Sequence, residues 1–127
     1  MKEATILVVE DNEKNLKLIR DVLQFAGYDV VSATSAELGV ALAMAHPPDL
    51  VLMDLQLPGM DGNEALNQLR ASPRTRDVPV VAVTAFAMAD DRDRALNAGF
   101  DGYLSKPMSV PSLPAQVRSF LPEDVSS

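Results

Sequence analysis

Five polar residues stand directly after apolar runs of the sequence. Two follow the first run, and one each follows the third, fourth and fifth: Glu10 and Asp11, then Asp54, Thr84 and Lys106. If the runs are parallel strands of one sheet, their carboxyl ends meet at one edge, where these side chains would converge. Three converging carboxylates repel one another unless a cation lies among them. The spacing therefore predicts a cation site at that edge.

We expect the cation to be Mg²⁺. Carboxylate oxygens suit a small hard ion, and the chain has no Cys and only one His to supply softer ligands. Mg²⁺ usually keeps several waters, takes one or two protein carboxylates and also binds phosphate oxygens. The ammonium of Lys106 and the hydroxyl of Thr84 could each bind a phosphoryl oxygen. The residues thus indicate a phosphoryl group beside a metal, with at least one carboxylate left as its acceptor.

The apolar runs begin at regular intervals. They are Thr5–Val9, Asp29–Ala33, Leu50–Met53, Val78–Val83 and Gly102–Ser105, so successive starts are 24, 21, 28 and 24 residues apart. A strand, a helix and two turns need roughly 20–30 residues. Runs one, three and four are continuously apolar, which is typical of strands covered on both faces. We predict an α/β fold, a flavodoxin-like doubly wound (βα)5 domain with a five-stranded parallel sheet.

Helical periodicity fills the segments after the runs. The first four helices are expected before Gly27, before Pro47, over about 63–71 and over about 87–98. The fifth segment contains Pro111 and Pro114, and a proline beyond the first turn removes a helical hydrogen bond. We therefore expect the last helix to begin late, near Pro114, and to end at Leu121.

Length and composition set the class of protein. With 127 residues, 47% of them hydrophobic, the chain fits a single domain, 1–127, with a core over about 5–121 and a flexible tail over 122–127. The formal net charge of −7 argues against a nucleic-acid partner. The longest nearly apolar run, Val80–Ala89, is far shorter than the ~20 residues of a membrane span. The start lacks a signal-peptide pattern, so we expect a cytoplasmic protein without a membrane partner.

Four motifs resemble the receiver domains of two-component response regulators. They are Val9-Glu10-Asp11-Asn12, Met53-Asp54-Leu55-Gln56-Leu57-Pro58-Gly59-Met60-Asp61-Gly62, Val83-Thr84-Ala85 and Tyr103-Leu104-Ser105-Lys106-Pro107. They occur in the family's order and spacing, and the resemblance covers roughly Thr5 to Leu121. The Glu-Asp-Asn-x-x-Asn run that ends at Asn15 is similar to receivers of hybrid histidine kinases and to single-domain regulators of the DivK kind.

The resemblance implies a role for each matching residue. Asp54 would be the phosphoacceptor, and Thr84 and Lys106 would bind the phosphoryl oxygens. The Mg²⁺ ligands would be Glu10, Asp11, Asp54 and the backbone carbonyl of Gln56. Thr84 and Tyr103 would form a switch, and the Lys106–Pro107 peptide bond would be cis.

The resemblance also implies a reaction and its partners. A phosphoryl group would pass to Asp54 from a phospho-histidine on a histidine kinase or a histidine phosphotransfer protein. Thr84 would then move inward, Tyr103 would rotate into the vacated space, and the face of helix four, strand five and helix five would change for an effector protein. The chain would be no enzyme beyond catalysing its own phosphorylation and dephosphorylation. We expect a stand-alone receiver, monomeric or weakly dimeric.

Two alternatives stay open. One is a Mg²⁺-dependent phosphohydrolase, although such enzymes commonly place an Asp-x-Asp pair after the first strand, where this chain has Glu10-Asp11-Asn12. The other is a receiver-like binding module that is never phosphorylated, against which the intact set of site residues argues. His46 tempts a phospho-histidine interpretation, but its place beside Pro47 predicts a surface or helix-cap position.

Overall fold

The computed structural model describes residues 4–55, 62–84, 89–105 and 112–121. Strands and helices alternate through them: β1 (Thr5–Val9), α1 (Glu13–Phe25), β2 (Asp29–Ala33), α2 (Ala36–Ala45), β3 (Leu50–Asp54), α3 (Gly62–Ala71), β4 (Val80–Thr84), α4 (Ala89–Ala98), β5 (Gly102–Ser105) and α5 (Leu113–Phe120). This is the predicted order of five βα units. Residues 87 and 88, expected in the fourth helix, and the predicted tail 122–127 lie outside the described residues.

The five strands form one parallel sheet in the order β2-β1-β3-β4-β5. The predicted doubly wound, flavodoxin-like fold is therefore confirmed. Strand β1 has β2 on one side and β3 on the other. The strand order therefore reverses between β1 and β3, which is the switch point of the sheet. In folds of this kind, ligands bind beyond the carboxyl ends of the strands at that switch point.

Helices cover both faces of the sheet, which explains why three strands are continuously apolar. On one face, α1 and α5 pack on alternate strand residues, with Leu23, Leu113 and Val117 among the buried side chains. On the other face, α2, α3 and α4 pack on the intervening strand residues, and Leu66 and Phe100 are among the buried side chains there. Every residue of β3 and of β4 is buried as a result. Among the described residues, no helix is long and apolar enough to cross a bilayer.

Strand β4 begins at Val80, two residues later than predicted. The amide of Val78 donates to the carbonyl of Thr75 at 3.0 Å, which closes a turn before the strand. The carbonyl of Val78 accepts a hydrogen bond from Nη1 of Arg70 at 2.6 Å. Val78 therefore belongs to this turn, and the ladder between β4 and β5 starts only at Val81.

Helix α5 begins at Leu113, which confirms the predicted late start. Pro114 lies in the first turn, where a proline has no helical hydrogen bond to lose. Pro111 lies outside the described residues. The ring of Phe120, in the last turn, occupies the space that a side chain on Gly102 of β5 would need. The glycine thus allows α5 to lie close to the edge strand of the sheet.

Among the described residues, one buried side-chain polar atom has no hydrogen-bond partner. Tyr28 is 3% exposed, and its hydroxyl has no hydrogen-bond partner within the described part of the chain. Because burial of an unsatisfied hydroxyl costs free energy, Tyr28→Phe should raise the free energy of unfolding by about 1 kcal/mol. Urea denaturation with an unchanged m-value measures this. Tyr103→Phe is the control and should give no gain, and a loss for Tyr28→Phe would reveal a hydrogen bond to an ordered water.

Candidate functional site

Three carboxylates converge at the carboxyl ends of β1 and β3. Glu10, Asp11 and Asp54 each place a carboxylate oxygen within 4.8 Å of the others. Glu10 and Asp54 are 2% and 3% exposed, respectively, whereas Asp11 is exposed. The cluster lies at the switch point of the sheet, and its place beyond the carboxyl ends of the strands is the predicted one.

Backbone pairing fixes the two buried carboxylates at the same level. Val9 of β1 pairs with Met53 of β3, so the residues that follow them, Glu10 and Asp54, are also neighbours. The amide of Glu10 donates to the carbonyl of Ala33 at 2.9 Å, which holds the main chain just beyond β1. The amide of Leu55 donates to Val83 at 2.9 Å and does the same beyond β3.

The first turn of α1 lies beside Glu10 at the acidic cluster. Asn12 is the N-cap, and its Oδ1 accepts a hydrogen bond from the amide of Asn15 at 3.0 Å. The side-chain Nδ2 of Asn15 in turn donates to Oε1 of Glu10 at 3.0 Å. The contact between Asn15 and Glu10 was not predicted from the sequence. The available signal was an amide side chain one helical turn after the cap, close to a carboxylate at a strand end.

Two of the three clustered carboxylates are buried, which favours the binding of a cation. Two carboxylates are removed from water beside a third, and like charges in a poorly solvated site repel strongly. The hydrogen bond that Asn15 donates to Glu10 offsets part of the cost of burying that carboxylate. All the ligand atoms are carboxylate oxygens, and one of the three residues faces water. This donor set fits a hard divalent cation such as Mg²⁺, which combines protein carboxylates with waters.

Thr84 ends β4, next to the strand that carries Asp54. Asp54 pairs with Val83, the residue before Thr84, and Thr84 is 3% exposed. Tyr103 of β5 pairs with Ala82 of β4. Its side chain is half-buried and packs against the core on the face covered by α2, α3 and α4. Tyr103 therefore lies outside the acidic cluster. The roles of Thr84 and Tyr103 in a switch stay predictions.

Three predicted site residues, Gln56, Lys106 and Pro107, lie outside the described residues. The carbonyl ligand, the phosphoryl-binding ammonium and the cis peptide bond therefore stay predictions. His46 caps the C-terminal end of α2 and is exposed. Its position agrees with the expected surface role.

Comparison with known proteins gives one consistent family. The model of the response regulator receiver domain family matches residues 6–118. The polar-differentiation response regulator DivK of Brucella ovis is 43% identical over 117 residues, which are 92% of this chain and 95% of that protein. DivK of Brucella anthropi is 42% identical over the same length.

Solved structures give the same result. The receiver domain of the sensor histidine kinase PA1611 from Pseudomonas aeruginosa matches with a TM-score of 0.84 and 36% identity, over 93% of this chain and 97% of that one. That crystal structure has a magnesium ion coordinated in the active site cleft. A response regulator described as putative, from Chloroflexus aurantiacus, matches with a TM-score of 0.87 and 30% identity, over 94% of this chain and 98% of that one.

Proposed function

The chain belongs to the response regulator receiver domain family, and on this premise we propose that it is the phosphoacceptor module of a two-component phosphorelay. A phospho-histidine of a histidine kinase or of a histidine phosphotransfer protein would donate the phosphoryl group, and Asp54 would accept it. The chain would catalyse only its own phosphorylation and dephosphorylation. Its net charge of −7 agrees with protein partners in place of nucleic acid.

The observation that carries the proposal is the buried carboxylate of Asp54 within 4.8 Å of two further carboxylates. An oxygen of Asp54 would form a bond to phosphorus while the bond from phosphorus to the donor's imidazole nitrogen breaks, and the imidazole leaves. Such transfer depends on positioning and charge neutralisation more than on covalent chemistry by other residues. Glu10 and Asp11 would therefore act through the metal, and Asp54 would be the nucleophile.

Glu10, Asp11 and Asp54 would hold Mg²⁺, with the backbone carbonyl of Gln56 as a further ligand. When bound, Mg²⁺ supplies positive charge to the phosphoryl oxygens. The all-oxygen donor set of the cluster supports this choice of ion. The magnesium in the cleft of the PA1611 receiver domain, 36% identical in sequence, supports it independently.

The output would follow from the neighbouring strands. Thr84 and Lys106 would bind the phosphoryl oxygens, and the inward shift of Thr84 would open space for Tyr103. The pairing of β4 with β5, which places Tyr103 beside Ala82, supports such coupling between the two strands. The face formed by α4, β5 and α5 would then present two alternative shapes to an effector protein. The protein would act in the cytoplasm as a monomer or weak dimer.

Radiolabelled phosphotransfer from a phosphorylated histidine phosphotransfer protein tests the proposal. Label should saturate at about one phosphoryl group per chain, because Asp54 is a single acceptor. Chelation of Mg²⁺ should slow uptake at least about tenfold. Steady turnover of a phosphomonoester would instead establish the phosphohydrolase. A lack of label from any donor, with no beryllofluoride-induced change in the NMR spectrum, would establish the inert binding module.

A further inference from the structure

We propose that Asn15 is a positioning residue that holds Glu10 in place for the metal. The inference rests on the proposed function and assigns a role to a residue outside the acidic cluster. Nδ2 of Asn15 donates to Oε1 of Glu10 at 3.0 Å. Glu10 comes from the end of β1 and Asn15 from the first turn of α1, so the bond ties the sheet to the helix at the rim of the site.

The helix places Asn15 independently of Glu10. The side chain of Asn12 accepts the amide hydrogen bond of Asn15 at 3.0 Å, and the carbonyl of Asn12 accepts that of Leu16 at 2.9 Å. Leu16 is 8% exposed and packs in the core on the α1 and α5 face. The cap and this core contact therefore hold the backbone of the first turn, and the side-chain amide of Asn15 reaches Glu10 from that turn.

The hydrogen bond from Asn15 can affect metal binding because the carboxylate of Glu10 is buried beside other carboxylates. Its carboxylate is 2% exposed and lies with those of Asp11 and Asp54. Without restraint, repulsion would favour rotamers of Glu10 that move the carboxylate away from the others. A carboxylate offers about four lone-pair positions on its two oxygens, so a donor on Oε1 leaves capacity for a metal. Asn15 would thus pre-organise a ligand, as outer hydrogen-bond partners do in other metal sites.

Asn15→Leu tests this role, because leucine has a similar size and favours helix but offers no donor. Isothermal titration should show about tenfold weaker Mg²⁺ binding, within the range found when such outer partners are lost. Asn15→Ala should give the same loss, which would assign the effect to the donor and not to side-chain size. Phosphoryl uptake from acetyl phosphate should fall by a similar factor at low Mg²⁺ and return to the wild-type rate at saturating Mg²⁺.

Two control variants separate positioning from helix stability. Asn67→Leu makes the same exchange on the exposed face of α3 and should leave Mg²⁺ affinity unchanged. Asn12→Ala removes the cap and should lower the thermal midpoint, with a smaller effect on Mg²⁺ binding than Asn15→Leu.

Mg²⁺ affinity of Asn15→Leu within about twofold of the wild type would overturn the positioning role, even if the thermal midpoint fell. The failure of the proposed function has a different signature. If the wild type binds Mg²⁺ but takes up no phosphoryl group, the proposed function is wrong, while the affinity comparison still decides the role of Asn15. If the wild type binds no Mg²⁺, both are overturned.

Discussion

Asp54→Asn should abolish phosphoryl uptake, lowering the rate of labelling by roughly a thousandfold or more, as expected when a nucleophile is removed. The amide keeps the size of the side chain but has no anionic oxygen to attack phosphorus. Asp54 is 3% exposed, so a smaller residue would leave a cavity. Asparagine has nearly the same size and avoids this. Labelling by a phosphorylated histidine phosphotransfer protein, followed by gel autoradiography, gives the rate directly.

Stability measurements make this prediction specific to the site. Without Mg²⁺, Asp54→Asn should not lower the thermal midpoint, because it removes one of three mutually repelling charges. Added Mg²⁺ should raise the midpoint of the wild type more than that of the variant, since a ligand that binds the folded state more tightly stabilises it more. Asp77→Asn is the matched control: its side chain is 96% exposed, and it should label as the wild type does. Label that persists in Asp54→Asn at the wild-type rate would assign the acceptor elsewhere.

The sequence predicted the elements of this fold well because their signals are local. The runs that supply β1, β3 and β4 are continuously apolar, and in β3 every residue is buried. The convergence of Glu10, Asp11 and Asp54 followed from one topological rule, that parallel strands end at a common edge. The late start of α5 followed from the position of Pro114.

The features that the sequence did not predict are contacts between side chains or turns that periodicity does not encode. Val78 looks like the start of a strand, but the hydrogen bond from its amide to the carbonyl of Thr75 places it in a turn. The bond from Asn15 to Glu10 depends on the angle at which α1 leaves β1. Arg70 and Asp101 are separated by 31 residues, and only the packed fold brings them together.

Arg70 joins three segments at the amino ends of the strands, opposite the end that carries the acidic cluster. Its Nη1 donates to the carbonyls of Arg76 at 3.0 Å and Val78 at 2.6 Å. Its Nη2 donates to Oδ2 of Asp101 at 2.6 Å. The same carboxylate oxygen accepts a hydrogen bond from the amide of Val80 at 2.8 Å, the first residue of β4. One guanidinium thus ties the end of α3 to the entries of β4 and β5.

Arg70→Met should lower the free energy of unfolding by about 2 kcal/mol, because charge-assisted hydrogen bonds from a partly buried group are lost. The side chains of Arg70 and Asp101 are 28% and 46% exposed, so solvent screens part of the ion pair and the backbone hydrogen bonds carry much of the effect. Arg70→Lys should recover less than half of the loss, since an ammonium lacks the planar, fixed set of five donors with which the guanidinium reaches its separate acceptors. Urea denaturation measures both variants.

A control and a functional readout define what would contradict this prediction. Arg76→Met removes an arginine whose side chain is 64% exposed and whose contact with Asp77 is 4.0 Å long, and it should cost less than about 0.5 kcal/mol. If Arg70→Met were no more destabilising than Arg76→Met, the contacts of Arg70 would contribute nothing to folding. Because those contacts lie where β4 and β5 begin, Mg²⁺ affinity and labelling of Asp54 should not change in Arg70→Met. Loss of stability with an intact acidic cluster would show that the two edges of the sheet serve separate purposes.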